Sequence, residues 1–230
     1  MQPSSLLIAV FEFALLIFSL SVHECAHAWM ASRLGDQTAR LQGRITLNPM
    51  YHVDPIGTLL IPALAIFGHF GFLIGWAKPT PVITRNFRKI VRDDNLTTLA
   101  GPVSNLILVA IASVALAIIA VATPSGRETV QASLVAAFNP AALPLAHPLA
   151  LLCTLAIYIN MSLFFFNLLP IPPLDGSRVA RNLLPYGAVR AYDRINVWLS
   201  YVLMLTVGSF LLRLLLWPSL NLIYSTLLNL

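Results

Sequence analysis

Within His23-Glu24-Cys25-Ala26-His27, two imidazoles and a carboxylate fall inside five residues. The histidines are four apart, about one helical turn, so both rings project from one helix face and can reach a single ion. Glu24, beside the pair but not of it, can stay off a metal and take a proton from a water molecule. The run before the motif, "LLIAVFEFALLIFSLSV", is almost wholly apolar. Ionisable groups at the end of such a run are expensive in lipid, and function is their default explanation. Helix-packing histidines with an ion-paired glutamate are the weaker alternative, and metal binding is the expectation.

A catalytic zinc site takes three protein ligands and keeps one position open. The candidates for the third ligand are Glu12, His52, Asp54, His69, His147 and Asp175. His147 reads better as a helix-start residue before Pro148. His52 and Asp54 flank Val53 in a loop, where a turn or cap serves as well as ligation. Glu12 precedes His23 by eleven residues, about 20° away around a helix, and reads as a bundle-pairing residue. Asp175 stands out because it follows "NLLPIPPL", whose three prolines must break a helix. An unwound chain can carry a carboxylate back toward the bilayer interior beside a wet cavity. The same residue also suits the N-cap of a helix starting near Ser177.

The elements that must position these groups are membrane elements. The chain has 230 residues, 58% hydrophobic and 10% charged, with mean hydropathy +0.80, against about 25% charged in soluble domains. The reading is an all-α polytopic membrane protein, and the net charge of +5 then belongs to loop placement, not to nucleic acid. Four spans are expected, at about Leu6–Ser32, Leu96–Ala122, Pro148–Leu169 and Ile195–Trp217. The polar stretch 36–54 predicts a short β-hairpin at about 38–50. Residues 123–147 read as a mild loop with a short helix near Glu128–Phe138, and the tail after Trp217 as interfacial. The start of the chain lacks a basic segment and a cleavage site, so a retained helix is expected. Cys25 and Cys153 both lie in apolar segments and define no disulfide framework. With no internal repeat, residues 1–230 read as one membrane-embedded domain.

"HECAHAW" at the end of one span, "AGPVSN" on another and "NLLPIPPLDG" at the end of a third resemble the site-2 protease family of intramembrane zinc metalloproteases. The short form without a PDZ or other regulatory domain is the nearest in pattern, and "RITLNPMYHVDPIGTLLIPA" and "GWAKPTPV" extend the resemblance over about Leu6–Arg181. It implies one zinc ion held by His23, His27 and Asp175, with Glu24 as general base. Asn167 matches the asparagine that helps hold substrate or the oxyanion, and Asn105 matches the Gly-Pro-x-x-Asn position. The implied reaction is hydrolysis of peptide bonds in or near transmembrane segments of single-span membrane proteins.

If Asp175 and the histidines are to share one membrane face, residues at about 56–76 cannot cross. A re-entrant segment with its tip at Gly68–Gly71 is therefore expected. All fourteen Lys and Arg except Arg127 and Arg213 then fall on one side, whereas a full crossing would move Arg33, Arg40 and Arg44 away from the rest. The positive-inside rule favours the first arrangement. It puts the active site toward the cytoplasm in a membrane read as the plasma (inner) membrane of a prokaryote. A metal or proton transporter would need more ligands or an inverted repeat, and a non-catalytic scaffold would not need Glu24.

Overall fold

The computed structural model describes residues 3–67, 75–139, 141–142 and 147–229. Ten α-helices and no strand occur among them: α1 Pro3–Leu34, α2 Thr38–Leu41, α3 Ile61–Phe67, α4 Ile90–Ala122, α5 Gly126–Phe138, α6 Pro148–Asn167, α7 Asp175–Leu183, α8 Tyr186–Tyr192, α9 Val197–Leu203 and α10 Ser209–Leu228. Four stretches are long and apolar enough to cross a membrane: Leu6–Leu34, Ile90–Ala122, Pro148–Asn167 and Val197–Leu228.

The centre of the fold is α4, packed against α1 on one side and α6 on the other, with α1 also touching α6. Small side chains line the packing of α4 with α5 and α6. Ala112 and Ala120 of α4, Ala150 and Cys153 of α6, and Val130 of α5 share a core with Leu116, Ile157, Leu216 and Leu220. In lipid, close packing rather than water exclusion drives helix association, and small residues permit the closest approach. A second cluster joins Leu16 and Leu20 of α1 to Ile159 of α6 and Ala77 of the connecting segment.

The expected β-hairpin at 38–50 does not form. Thr38–Leu41 is a helical turn, Gly43 takes φ 68°, and Pro49–Tyr51 is a 3₁₀ turn. Local side-chain bonds win over a ladder: Asp36 accepts from the N–H and hydroxyl of Thr38, and Asn48 from the N–H of Met50. Such bonds offer the backbone an alternative to pairing between strands.

The tip expected for the re-entrant segment, Gly68–Gly71, lies outside the described residues. What is described is a π-helical turn at Pro55–Leu60 leading into α3, and an extended return from Gly75. The Trp76 N–H donates to the Gly57 carbonyl at 3.1 Å and the Lys78 N–H to the His52 carbonyl at 2.8 Å. At the other end of the chain, the helix beyond Ser209 runs through Pro218 to Leu228, so the expected interfacial tail is the continuation of the last span. A proline removes one helical donor, which transmembrane helices tolerate.

Candidate metal centre

The place of Asp175 is decided by how α6 ends. After Asn167 the chain unwinds through "LLPIPPL", and α7 begins at Asp175 itself. Gly176 is required there, since a Cβ would run into the carbonyls of Leu168 and Leu169. Asp175 is not spent on capping. Its Oδ2 lies 3.1 Å from His23 Nε2 and 3.3 Å from His27 Nε2, and the two Nε2 atoms are 3.0 Å apart. Ligands at about 2.0–2.1 Å from a tetrahedral zinc stand about 3.3–3.4 Å from one another. The three donor atoms therefore have nearly the spacing of one tetrahedral face.

The outer nitrogens explain why the inner ones carry lone pairs. His27 Nδ1 lies 2.8 Å from the Thr97 carbonyl oxygen. A carbonyl only accepts, so Nδ1 donates and the neutral ring keeps its free pair at Nε2. His23 Nδ1 is 3.0 Å from Asn105 Oδ1 in the same relation. Two imidazole lone pairs and a carboxylate thus converge on one point. A proton bridges one pair of these acceptors, whereas a divalent cation engages all three. Both histidines are buried, at 4% and 8% exposure, which excludes water as their general partner.

The face of α4 opposite them is built for this contact. Thr97, Gly101 and Asn105 follow one another at four-residue spacing along one side of the helix. Thr97 and Asn105 take the two rings, and Gly101 lies between them, where a Cβ would collide with Nε2 of both histidines. Asn105 is fully buried.

Asp175 is held from behind. Arg178 and Asn182, on its own face of α7, donate to the two carboxylate oxygens of buried Asp94 at 2.7 Å each, and Asn182 also to Asn95 at 2.8 Å. Glu24 lies within the same group, with one ligand-capable atom each from His23, Glu24 and His27 inside 4.8 Å. Its carboxylate accepts from the Thr80 N–H at 2.8 Å.

The other candidates are elsewhere. His52 is buried with Nε2 on the Thr46 carbonyl, and Asp54 caps the π turn by accepting from Ile56 and Gly57. His147 is exposed at the start of α6, and His69 lies outside the described residues. Asn167 ends α6 with its Nδ2 donating to the Leu163 carbonyl, and no hydrogen bond joins it to His23, His27 or Asp175. Thr97, Gly101, Thr80 and Asp94 also belong to this site, and only the packing between elements shows it, since nothing in their own stretches of sequence does.

Comparison with known proteins agrees with this chemistry. The sequence profile described as "Peptidase family M50" matches residues 11–209. A Bacillus subtilis protein named "Putative zinc metalloprotease YwhC" is 41% identical over 211 residues, covering 90% of this chain and 84% of its own. Two mycobacterial proteins named "Putative zinc metalloprotease Rip2" also match. The one from Mycolicibacterium smegmatis is 36% identical over 40% of this chain and 34% of its own. The one from Mycobacterium tuberculosis is 30% identical over 70% of this chain and 52% of its own. No solved structure matches. The chain belongs to peptidase family M50, the site-2 protease family, and is a membrane zinc metalloprotease.

Proposed function

We propose that this metalloprotease hydrolyses peptide bonds in or beside the transmembrane segments of single-span membrane proteins, with residues 1–230 acting as one membrane-embedded unit. The observation that carries the reading is the convergence of His23 Nε2, His27 Nε2 and Asp175 Oδ2 among helices long enough to span a bilayer. In this reading those three residues hold zinc, which when bound supplies Lewis-acid polarisation of the scissile carbonyl and acidifies water. Asn105 and the Thr97 carbonyl fix the two imidazoles in the ligating tautomer. Glu24 takes the proton of the attacking water and passes it to the leaving amine. A substrate helix hides its carbonyls in its own hydrogen bonds, so it must unwind locally before attack. Asn167 serves that exposed segment or the developing oxyanion once its amide turns away from Leu163.

The site faces the cytoplasm of a prokaryotic plasma membrane in this reading, and residues 56–76 dip into the bilayer and return. The pairing of Gly57 with Trp76 and of His52 with Lys78 supports a segment whose two ends stay together. The test is cleavage of a single-span reporter in vesicles by wild type and by Glu24→Gln at equal zinc content. Product from the wild type alone is expected; equal cleavage by both would remove the reading.

A further inference from the structure

The segment from Trp76 to Ile83 has no regular structure of its own, yet it is pinned by hydrogen bonds at Trp76, Lys78, Pro79, Thr80 and Ile83. Buried Arg44 donates to the carbonyls of Tyr51, Lys78 and Pro79. At the far end, the Ile83 N–H donates to buried Asp36 at 2.7 Å. Between these anchors lies Pro79-Thr80-Pro81. Each proline fixes its own φ and restricts the residue before it to extended backbone. The strap is thus rigid by sequence as well as by anchoring. Neither proline has an N–H, so within the three residues Thr80 holds the single backbone donor. That donor is aimed at Glu24 Oε2, at 2.8 Å, and the Thr80 hydroxyl donates to the Glu24 carbonyl at 3.0 Å. No other hydrogen bond reaches the Glu24 carboxylate among the described residues.

We propose that Thr80 is a positioning residue, whose backbone N–H holds one Glu24 carboxylate oxygen so that the other is turned to the attacking water. The proposal rests on the reading of Glu24 as general base. A strap pinned by Arg44 and Asp36 gives that N–H a fixed place relative to α1. A base held this way works from one geometry, and a misplacement of about 1 Å can lower a rate about 100-fold.

The experiment compares kcat, KM and zinc content for cleavage of the single-span reporter. The variants are Thr80→Pro, Thr80→Ser, and an amide-to-ester replacement at position 80, introduced as the α-hydroxy analogue of threonine. The ester deletes the N–H and keeps the side chain, while the Pro79 carbonyl becomes a weaker acceptor for Arg44; with KM and zinc content unchanged, it decides the matter if Thr80→Pro does not fold. Expected is a fall in kcat of about 10- to 100-fold for the ester, with KM within about threefold and zinc content unchanged; Thr80→Ser, which keeps both donors, recovers most of kcat. A wild-type kcat in the ester variant, or a loss that follows zinc content, overturns the proposal while Glu24→Gln remains inactive. Wild-type cleavage by Glu24→Gln removes the general-base reading and this proposal with it.

Discussion

Asn105 Oδ1 lies 3.0 Å from His23 Nδ1, a contact between the middle of α4 and the motif at the end of α1. It gives the ring a partner that fixes which nitrogen faces the ligand side. Outer partners of ligating histidines are worth about 10- to 100-fold in metal affinity. Asn105→Ala is therefore expected to weaken zinc binding by that range, read by competition with a chelator, with helix content retained.

Gly101 gives a sharper test. Replacing a helical glycine with alanine ordinarily stabilises by about 0.5–1 kcal/mol. Here the new Cβ would enter the space between the two Nε2 atoms. Gly101→Ala is expected to lose zinc and activity while its apparent Tm in detergent falls by no more than the loss of metal explains. Retained zinc at wild-type affinity would contradict the close approach of α4.

Asp94 connects α4 to the helix that carries Asp175. Asp94→Ala takes the acceptor from Arg178 and one of two acceptors from Asn182, which keeps Asn95; a pair whose Arg178 side is open to solvent contributes up to about 1 kcal/mol. The expected readout is faster tryptic cleavage after Arg178 or Arg181, together with weaker zinc binding.

Asp36 predicts a pH dependence. Burial raises its carboxyl, but the bonds from Thr38, Asn86 and Ile83 outweigh it and hold it below the ordinary 3.8. A carboxyl depressed in the folded state contributes stability above its unfolded value and loses it as pH falls through the folded one. Asp36→Asn should therefore unfold at lower temperature than wild type at pH 7, and the gap should close below about pH 4. A gap independent of pH would show that the ionised carboxylate is not what anchors the strap.

Much of the site was legible because its signals lie along the chain. The spacing of His23 and His27 is a local helical fact, and the prolines after Asn167 announce an unwound turn before Asp175. The four spans follow from apolar length. What could not be read is contact between elements. Nothing local tells that Thr97, Gly101 and Asn105 face the histidines rather than lipid, since that depends on the register of α4 against α1. The hairpin does not form for a different reason: the side chains of Asp36 and Asn48 satisfy nearby backbone N–H groups and turn the chain locally. The tail after Trp217 is too short to span alone and so reads as interfacial, whereas the last helix continues through Pro218, which a membrane span tolerates.

The central claim is that His23, His27 and Asp175 share one zinc ion, and zinc-edge X-ray absorption on the purified protein addresses it directly. The predicted first shell contains two imidazole nitrogens and carboxylate oxygen at about 2.0–2.2 Å, and Asp175→Ala should lose the carboxylate contribution and bind zinc more weakly. A sulfur at about 2.3 Å, which would bring Cys25 into the shell, or an Asp175→Ala shell and affinity identical to wild type, would contradict it.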